Sequence, residues 1–159
     1  MNMIQYEILL VEDDSADAEL TMRSLKKEGL ANCITIARDG AEALDFVFCR
    51  GAFANRSFEA PPSLILLDLK LPRLTGHDVL RAIKSDARTA SIPVIVLTSS
   101  NHERDLAECY RLGVNSYIQK PVDLQKFQDT VRTFGLYWLV VNQMPPASVF
   151  AQAPSGESK

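Results

Sequence analysis

The sequence is short of the features that would send it into a membrane, out of the cell or onto nucleic acid. No uninterrupted apolar run approaches the roughly 20 residues of a bilayer-spanning helix, so no membrane segment is expected. The opening residues, Met1-Asn2-Met3-Ile4-Gln5, have neither the basic start nor the long apolar core of a secretory signal. The three cysteines, Cys33, Cys49 and Cys109, are odd in number and have no paired spacing for zinc or a redox couple. They read as reduced thiols in a cytoplasmic protein. With 17 Lys and Arg against 20 Asp and Glu, the net charge is -3, and no basic cluster is available for a nucleic-acid or anionic-membrane surface. A length of 159 residues, 47% hydrophobic and 23% charged, suits one domain with a sizeable core and leaves no room for a second catalytic or DNA-binding domain.

What is present is a repeated layout in which apolar strands run out into polar side chains. Leu64-Ile65-Leu66-Leu67, between Pro61-Pro62 and Pro72, reads as a strand covered on both faces, and it ends on Asp68. In an open α/β sheet the crevice beyond the carboxyl ends of the strands is where ligands bind. On this stretch alone, a simple cap of the following turn is an equal alternative. Tyr6 to Val11 is a first strand that ends in Glu12, Asp13 and Asp14, and Asn32 to Ala37 is a second. Val94 to Leu97 ends in Thr98-Ser99-Ser100, and Asn115 to Gln119 ends in Lys120-Pro121.

Helical spacing fills the intervals. A first helix from Ser15 carries Ala18, Met22 and Leu25, with Asp14 as its cap, metal binding being the alternative for that acid, and Gly29 as its stop. A second, after Asp39-Gly40, places Ala41, Leu44 and Phe48 on one face, and a third, after Thr75-Gly76, places Val79, Leu80 and Ile83 toward the sheet. A fourth, capped by Asn101 and stopped by Gly113, would bury Leu106, Ala107 and Tyr110. The last starts near Asp123 and repeats Leu124, Phe127, Val131, Phe134 and Trp138. His77 and His102 are expected on the surface at helix starts, and the 49–62 connection is an ordered or a mobile surface loop. Residues 5–144 form the expected domain, and 145–159 a disordered tail.

Strands alternating with helices imply one parallel sheet with helices on both faces, because right-handed crossovers return the chain to the same edge each time. Glu12, Asp13, Asp68, Thr98 and Lys120 then converge at one crevice. Clustered carboxylates repel, and a hard divalent cation relieves the repulsion. A metal, a free carboxylate oxygen, an ammonium and a hydroxyl are the parts that phosphoryl transfer needs.

With these residues the chain resembles the receiver domain of two-component response regulators. The resemblance rests on the acids after strand one, Asp68 in LILLDLKLP, Thr98 in VIVLTSS and Tyr117 to Pro121 in YIQKP, and covers about residues 5–140. It implies a flavodoxin-like, doubly wound five-stranded parallel sheet of order 2-1-3-4-5. It further implies that Asp68 accepts a phosphoryl group from a phosphohistidine on a sensor histidine kinase. Mg²⁺ or Mn²⁺ would be held by Asp13, Asp68 and the Lys70 backbone carbonyl, with Glu12 acting directly or through a water. Lys120, Thr98 and the Ser99 N–H would contact the phosphoryl oxygens, and Tyr117 would turn inward as Thr98 moves.

Within that family the chain looks most like the stand-alone regulators of bacterial, especially cyanobacterial, phytochrome-type kinases. A signalling protein rather than a turnover enzyme is implied, with an intermediate module of a multistep phosphorelay as the alternative. A flavodoxin-type FMN carrier shares the fold, but Glu12-Asp13-Asp14 would repel the FMN phosphate. An aspartate-nucleophile phosphatase would need a second Asp where Lys70 stands. Leu136 to Val141 is six consecutive apolar residues beyond what one helix stripe needs, so a homodimer through the last helix, together with the fourth helix and fifth strand, is expected.

Overall fold

The computed structural model describes residues 6–29 and 33–150. Five strands, β1 (Glu7–Val11), β2 (Cys33–Ala37), β3 (Leu64–Leu67), β4 (Val94–Thr98) and β5 (Ser116–Gln119), alternate with five helices. The helices are α1 (Ser15–Lys27), α2 (Gly40–Val47), α3 (Gly76–Ser85), α4 (Glu103–Leu112) and α5 (Leu124–Gly135). The sheet is parallel throughout in the order β2-β1-β3-β4-β5. This is the expected doubly wound, flavodoxin-like arrangement; Asn32, the expected start of the second strand, lies outside the described residues.

Alternation along the strands builds two cores. Leu9, Val11, Ile65, Leu67, Val94 and Val96 meet α2, α3 and α4 on one face. Ile8, Leu10, Leu64, Leu66, Ile95 and Leu97 meet α1 and α5 on the other. Because β3 and β4 are covered on both faces, every residue in them is buried, which is why they read as unbroken apolar runs.

Register brings the chemistry together. Val11 pairs with Leu67, Leu67 with Val96, and Thr98 with Gln119. The next residues along, Glu12, Asp68 and Lys120, therefore leave the sheet at one edge. Local capping supports each exit. Asp14 accepts from the Asp17 N–H at 3.0 Å to start α1, Asp39 from the Glu42 N–H at 2.8 Å to start α2, and Asp123 from the Lys126 N–H at 3.0 Å to start α5. Thr75 and Asp78 form a reciprocal capping box on α3. The next residue, Gly76, packs so closely that an added Cβ would lie 2.4 Å from the Asp68 carbonyl oxygen. Only glycine lets α3 start against the loop that carries Asp68.

Several expected helix faces are rotated. In α2 the buried side chains are Ala43, Phe46 and Val47, while Ala41 is exposed and Leu44 and Phe48 only flank the core. In α4, Cys109 is buried whereas Leu106 and Tyr110 are exposed. The reason lies before that helix: the Ser100 hydroxyl donates to Asp105 Oδ2 at 2.5 Å, which turns the Asp105-Cys109 face inward. Asn101 is not the cap; His102 is, with its N–H donating to Ser100 Oγ at 3.3 Å. His102 is exposed as expected, but His77 is partly buried, its Nε2 3.4 Å from the Asp105 carbonyl oxygen.

The end of the chain also departs from expectation. Leu124 is exposed, and α5 passes at Gly135 into a wider, π-helical turn over Leu136–Val141. A wider turn places residue i+5 over residue i, so Leu139, five beyond Phe134, becomes the buried side chain while Trp138 only flanks the core. The chain stays packed past Pro145: Ala147–Val149 forms a 3₁₀ turn and Phe150 is buried in the core on the α2-α3-α4 face. Burial of that aromatic ring offsets the cost of ordering a polar segment, so the packed domain ends later than residue 144. Residues 151–159 of the expected tail lie outside the described residues.

The 49–62 connection is ordered. Arg56 lies 3.7 Å from the Phe46 ring centroid and pairs with Glu7 at 2.5 Å, and Arg88 lies 4.2 Å from the Phe58 ring centroid. The three cysteines are unpaired, as expected.

Candidate functional site

At the carboxyl edge of the sheet, backbone bonds hold the ends of the strands together. The Glu12 N–H donates to the Ala37 carbonyl at 3.0 Å, the Asp68 N–H to that of Val11 at 3.1 Å, and the Lys120 N–H to that of Thr98 at 2.7 Å. The side chains then face one cleft of about 540 Å³, lined by five acids, Glu12, Asp13, Asp14, Asp17 and Asp68, together with Ser15, Lys70, Ser99 and Lys120.

Lys120 is the hub. Its Nζ donates to Glu12 Oε1 at 2.6 Å, Asp17 Oδ2 at 2.9 Å and Asp68 Oδ2 at 3.0 Å. The other Asp68 oxygen, Oδ1, accepts the Lys70 N–H at 3.1 Å. Burial disfavours the ammonium, but its hydrogen bonds to Glu12 and Asp17 and the charges of Asp68 and Glu12 overcome it and hold the Lys120 pKa above its ordinary value. Burial also opposes the charged form of Asp68; the Lys120 charge and the Lys70 N–H outweigh it, and the carboxyl stays below its ordinary range. Glu12 goes the other way. Burial, with the Asp68 charge beside it, pushes it up to about 7 despite Lys120.

One lysine cannot neutralise this cluster. Glu12, Asp13 and Asp68 each offer an oxygen within 4.8 Å of the others, with Asp13 exposed and the other two buried. An all-oxygen, multiply charged set suits a hard divalent cation that keeps part of its water shell, and such an ion would offset both the burial of the Glu12 charge, the main cause of its raised pKa, and its repulsion with Asp68. The acidic cluster fits a divalent metal site.

Thr98 and Tyr117 stand apart from the cleft wall. Thr98 is fully buried and its Oγ1 accepts the Ser100 N–H at 3.3 Å. Tyr117 is half-buried, and its hydroxyl donates to the Ser100 carbonyl at 3.2 Å. Both side chains thus end on the loop between β4 and α4. Among the sequence-derived residues, Glu12, Asp13, Asp68, Lys70, Ser99 and Lys120 share the cleft.

A family model for the response regulator receiver domain matches residues 8–132. The chain belongs to that family. Receiver-domain response regulators are signalling proteins, and the fold and the acidic edge are those of a receiver. The chain is 42% identical over 138 residues to the probable methanogenesis regulatory protein FilR2 of Methanothrix harundinacea, covering 87% of this chain and 86% of that protein. It is 39% identical over 140 residues to the response regulator Rcp1 of Synechocystis sp., covering 88% and 93%. The Mn²⁺-bound form of Rcp1 superposes with a TM-score of 0.82 at 38% identity, over 89% of this chain and 99% of that one. The phosphorylated cyanobacterial phytochrome response regulator RcpA superposes with a TM-score of 0.84 at 38% identity, over 90% of this chain and all of that one (100%).

Sequence reasoning missed Asp17. An acid in the first turn of a helix is ordinarily explained by the helix dipole, and only its position beside the strand-end acids hinted at more. It also missed the contacts of Ser100 with Asp105, because neither residue type announces a partner five positions away.

Proposed function

We propose that this protein is a phosphorylation switch that accepts a phosphoryl group on Asp68 from the phosphohistidine of a sensor histidine kinase. The observation that carries the reading is the Lys120 ammonium, set 3.0 Å from Asp68 within a cluster of acids at the carboxyl edge of the sheet. An Asp68 oxygen forms the new P–O bond as the P–N bond to the donor imidazole breaks and the electron pair leaves with the ring nitrogen. Asp13, Asp68, Glu12 and the Lys70 carbonyl would hold Mg²⁺ or Mn²⁺, which supplies charge neutralisation on the phosphoryl oxygens. Lys120 exchanges its bond to Asp68 for one to a phosphoryl oxygen, and the Ser99 N–H takes another. Thr98 gives up the Ser100 N–H to reach a third, and Tyr117 follows because its hydroxyl is tied to the same Ser100.

The likeness to the cyanobacterial phytochrome response regulator RcpA favours a phytochrome-type kinase as the donor, and a cytoplasmic exchange agrees with the three unpaired thiols. Signalling then passes through protein contact, and a second copy of the chain is the first partner. Leu106 and Tyr110 of α4, and Leu136, Tyr137, Val140 and Val141 after α5, leave an apolar surface exposed. The net charge of -3 does not favour nucleic acid or an anionic membrane as partner, and among the described residues no helix is long and apolar enough to cross a bilayer.

Incubation with a small acyl phosphate and Mg²⁺, followed by mapping of the acid-labile adduct, should place one phosphoryl group on Asp68. Equal labelling of Asp68→Asn, or full labelling in excess chelator, would refute the assignment. Light scattering at micromolar concentration should show a dimer that Trp138→Ala weakens, since Trp138 packs the apolar segment onto its own core; a monomer in both phosphorylation states would remove the homodimer.

A further inference from the structure

An ammonium has three N–H donors, and Lys120 spends all three on carboxylates: Glu12, Asp17 and Asp68. Two of these have other duties. Glu12 and Asp68 belong to the set of oxygens that can hold a cation, and Asp68 is the proposed phosphoacceptor. Asp17 is outside that set.

We propose that Asp17 is a positioning residue for Lys120, a fixed carboxylate on α1 that keeps the ammonium aimed at the phosphoryl group while its other two partners are engaged elsewhere. The proposal rests on the reading of Asp68 as the phosphoacceptor. When the phosphoryl group arrives, one Asp68 oxygen enters the new P–O bond, and Glu12 would share its charge with the cation. Asp17 alone of the three stays an uncommitted carboxylate throughout the transfer. Its backbone is suited to the task, because its N–H is held by Asp14 at 3.0 Å and its carbonyl accepts the Thr21 hydroxyl at 2.9 Å. Lys120 is held at its own end by the 2.7 Å bond to the Thr98 carbonyl. The side chain thus spans from the end of β5 to the first turn of α1 as a strut fixed at both ends. A long lysine stem without that second anchor regains its rotamers, and a group that must meet a transferring phosphoryl within a few tenths of an ångström loses effectiveness quickly.

Asp17 as a mere helix-dipole acid is the competing account. It forecasts a change in stability and none in transfer.

The test uses the full-length chain as wild type, Asp17→Ala and the near-isosteric Asp17→Asn, with three measurements. These are the rate of Asp68 labelling at saturating acyl phosphate and Mg²⁺, the Mg²⁺ dissociation constant, and the ¹H–¹⁵N signal of the Lys120 ammonium in Mg²⁺-saturated protein, where the cation competes for Glu12 and Asp68. Asp17→Ala should lower the saturating rate about tenfold, the loss of one charge-assisted bond, and shift the metal constant less than twofold. Its Lys120 signal should broaden into exchange with water. Asp17→Asn keeps an acceptor oxygen, so it should lose about threefold and retain the signal. Wild-type rates in Asp17→Ala, a loss confined to metal affinity, or an unchanged Lys120 signal would each overturn the proposal. If wild type itself takes no label on Asp68, the phosphoacceptor reading fails, whereas the ammonium signal still judges the Asp17 contact by itself.

Discussion

Lys120 and Lys84 sit at opposite edges of the sheet, both partly buried and both with three side-chain hydrogen bonds, and they differ in what they face. Lys120, at the carboxyl edge, meets three carboxylates. Lys84, at the amino edge, donates to the Ala90 carbonyl at 2.9 Å, the Ile92 carbonyl at 2.8 Å and Asn115 Oδ1 at 2.9 Å, all neutral. Burial without a counter-charge brings the Lys84 pKa down to about 8, while the acids around Lys120 carry its pKa upward against the same burial. One lysine is a structural fastener, tying the loop before β4 to the loop before β5. The other is an electrostatic instrument whose partners can be exchanged.

The sharpest way to break this comparison is to replace each lysine with methionine, which keeps the stem and removes the ammonium. Lys120→Met should slow acyl phosphate labelling of Asp68 by about 10² to 10³-fold, the usual loss when a preorganised charge stabiliser is removed, and should leave the protein folded. Lys84→Met should leave labelling within twofold, yet cost about 2–3 kcal/mol in urea unfolding, because buried carbonyls lose their donor. The division of labour is wrong if the two variants exchange these phenotypes.

Titration refines the contrast. Between about pH 8 and the ordinary lysine pKa of 10.5 the unfolded chain holds a proton at position 84 that the folded chain has released. Unfolding then takes up protons, so this residue makes stability rise with pH across that window, by at most about 1.4 kcal/mol per pH unit. Lys84→Met should remove that rising component from urea midpoints measured between pH 8 and 10; an identical pH profile in the variant would show that Lys84 is charged in both states. The smallest effect is expected at Arg56, also at the amino edge, where the guanidinium lies over Phe46 and pairs with Glu7. Arg56→Lys keeps the charge and loses the flat stacking face, for a drop of about 0.5–1 kcal/mol, checked by thermal unfolding.

Much of the carboxyl edge was legible because it depends on parity and register. An apolar run that ends in an acid, repeated beside others that end in a hydroxyl or a lysine, has one economical arrangement in a parallel sheet. Glu12, Asp68 and Lys120 meet there as expected. The amino edge was not legible. Nothing local marks Lys84 as buried, since its acceptors come from the loop that follows its own helix and from Asn115, 31 residues away. The rotated faces of α2 and α4 have a similar origin. Leu106 and Tyr110 have the right spacing for a buried stripe, but the Ser100 to Asp105 bond chooses the neighbouring face.

By itself the sequence determined the succession of strands and helices, the cap at Asp14, the helix starts at Asp39, Thr75 and Asp123, and which side chains leave the sheet at its carboxyl edge. These follow from periodicity and from short-range hydrogen bonding, which extend over only a few residues. Only the tertiary structure decided which three acids share Lys120, which lysine faces neutral partners, and that packing continues past Pro145 to Phe150. Asp17 reaches the ammonium because α1 lies beside the end of β5, and Phe150 is buried because the segment after α5 packs against both faces of the sheet, with Leu139 in one core and Phe150 in the other. Such contacts join residues that are far apart in the chain, and their free energy depends on positions that no local pattern encodes.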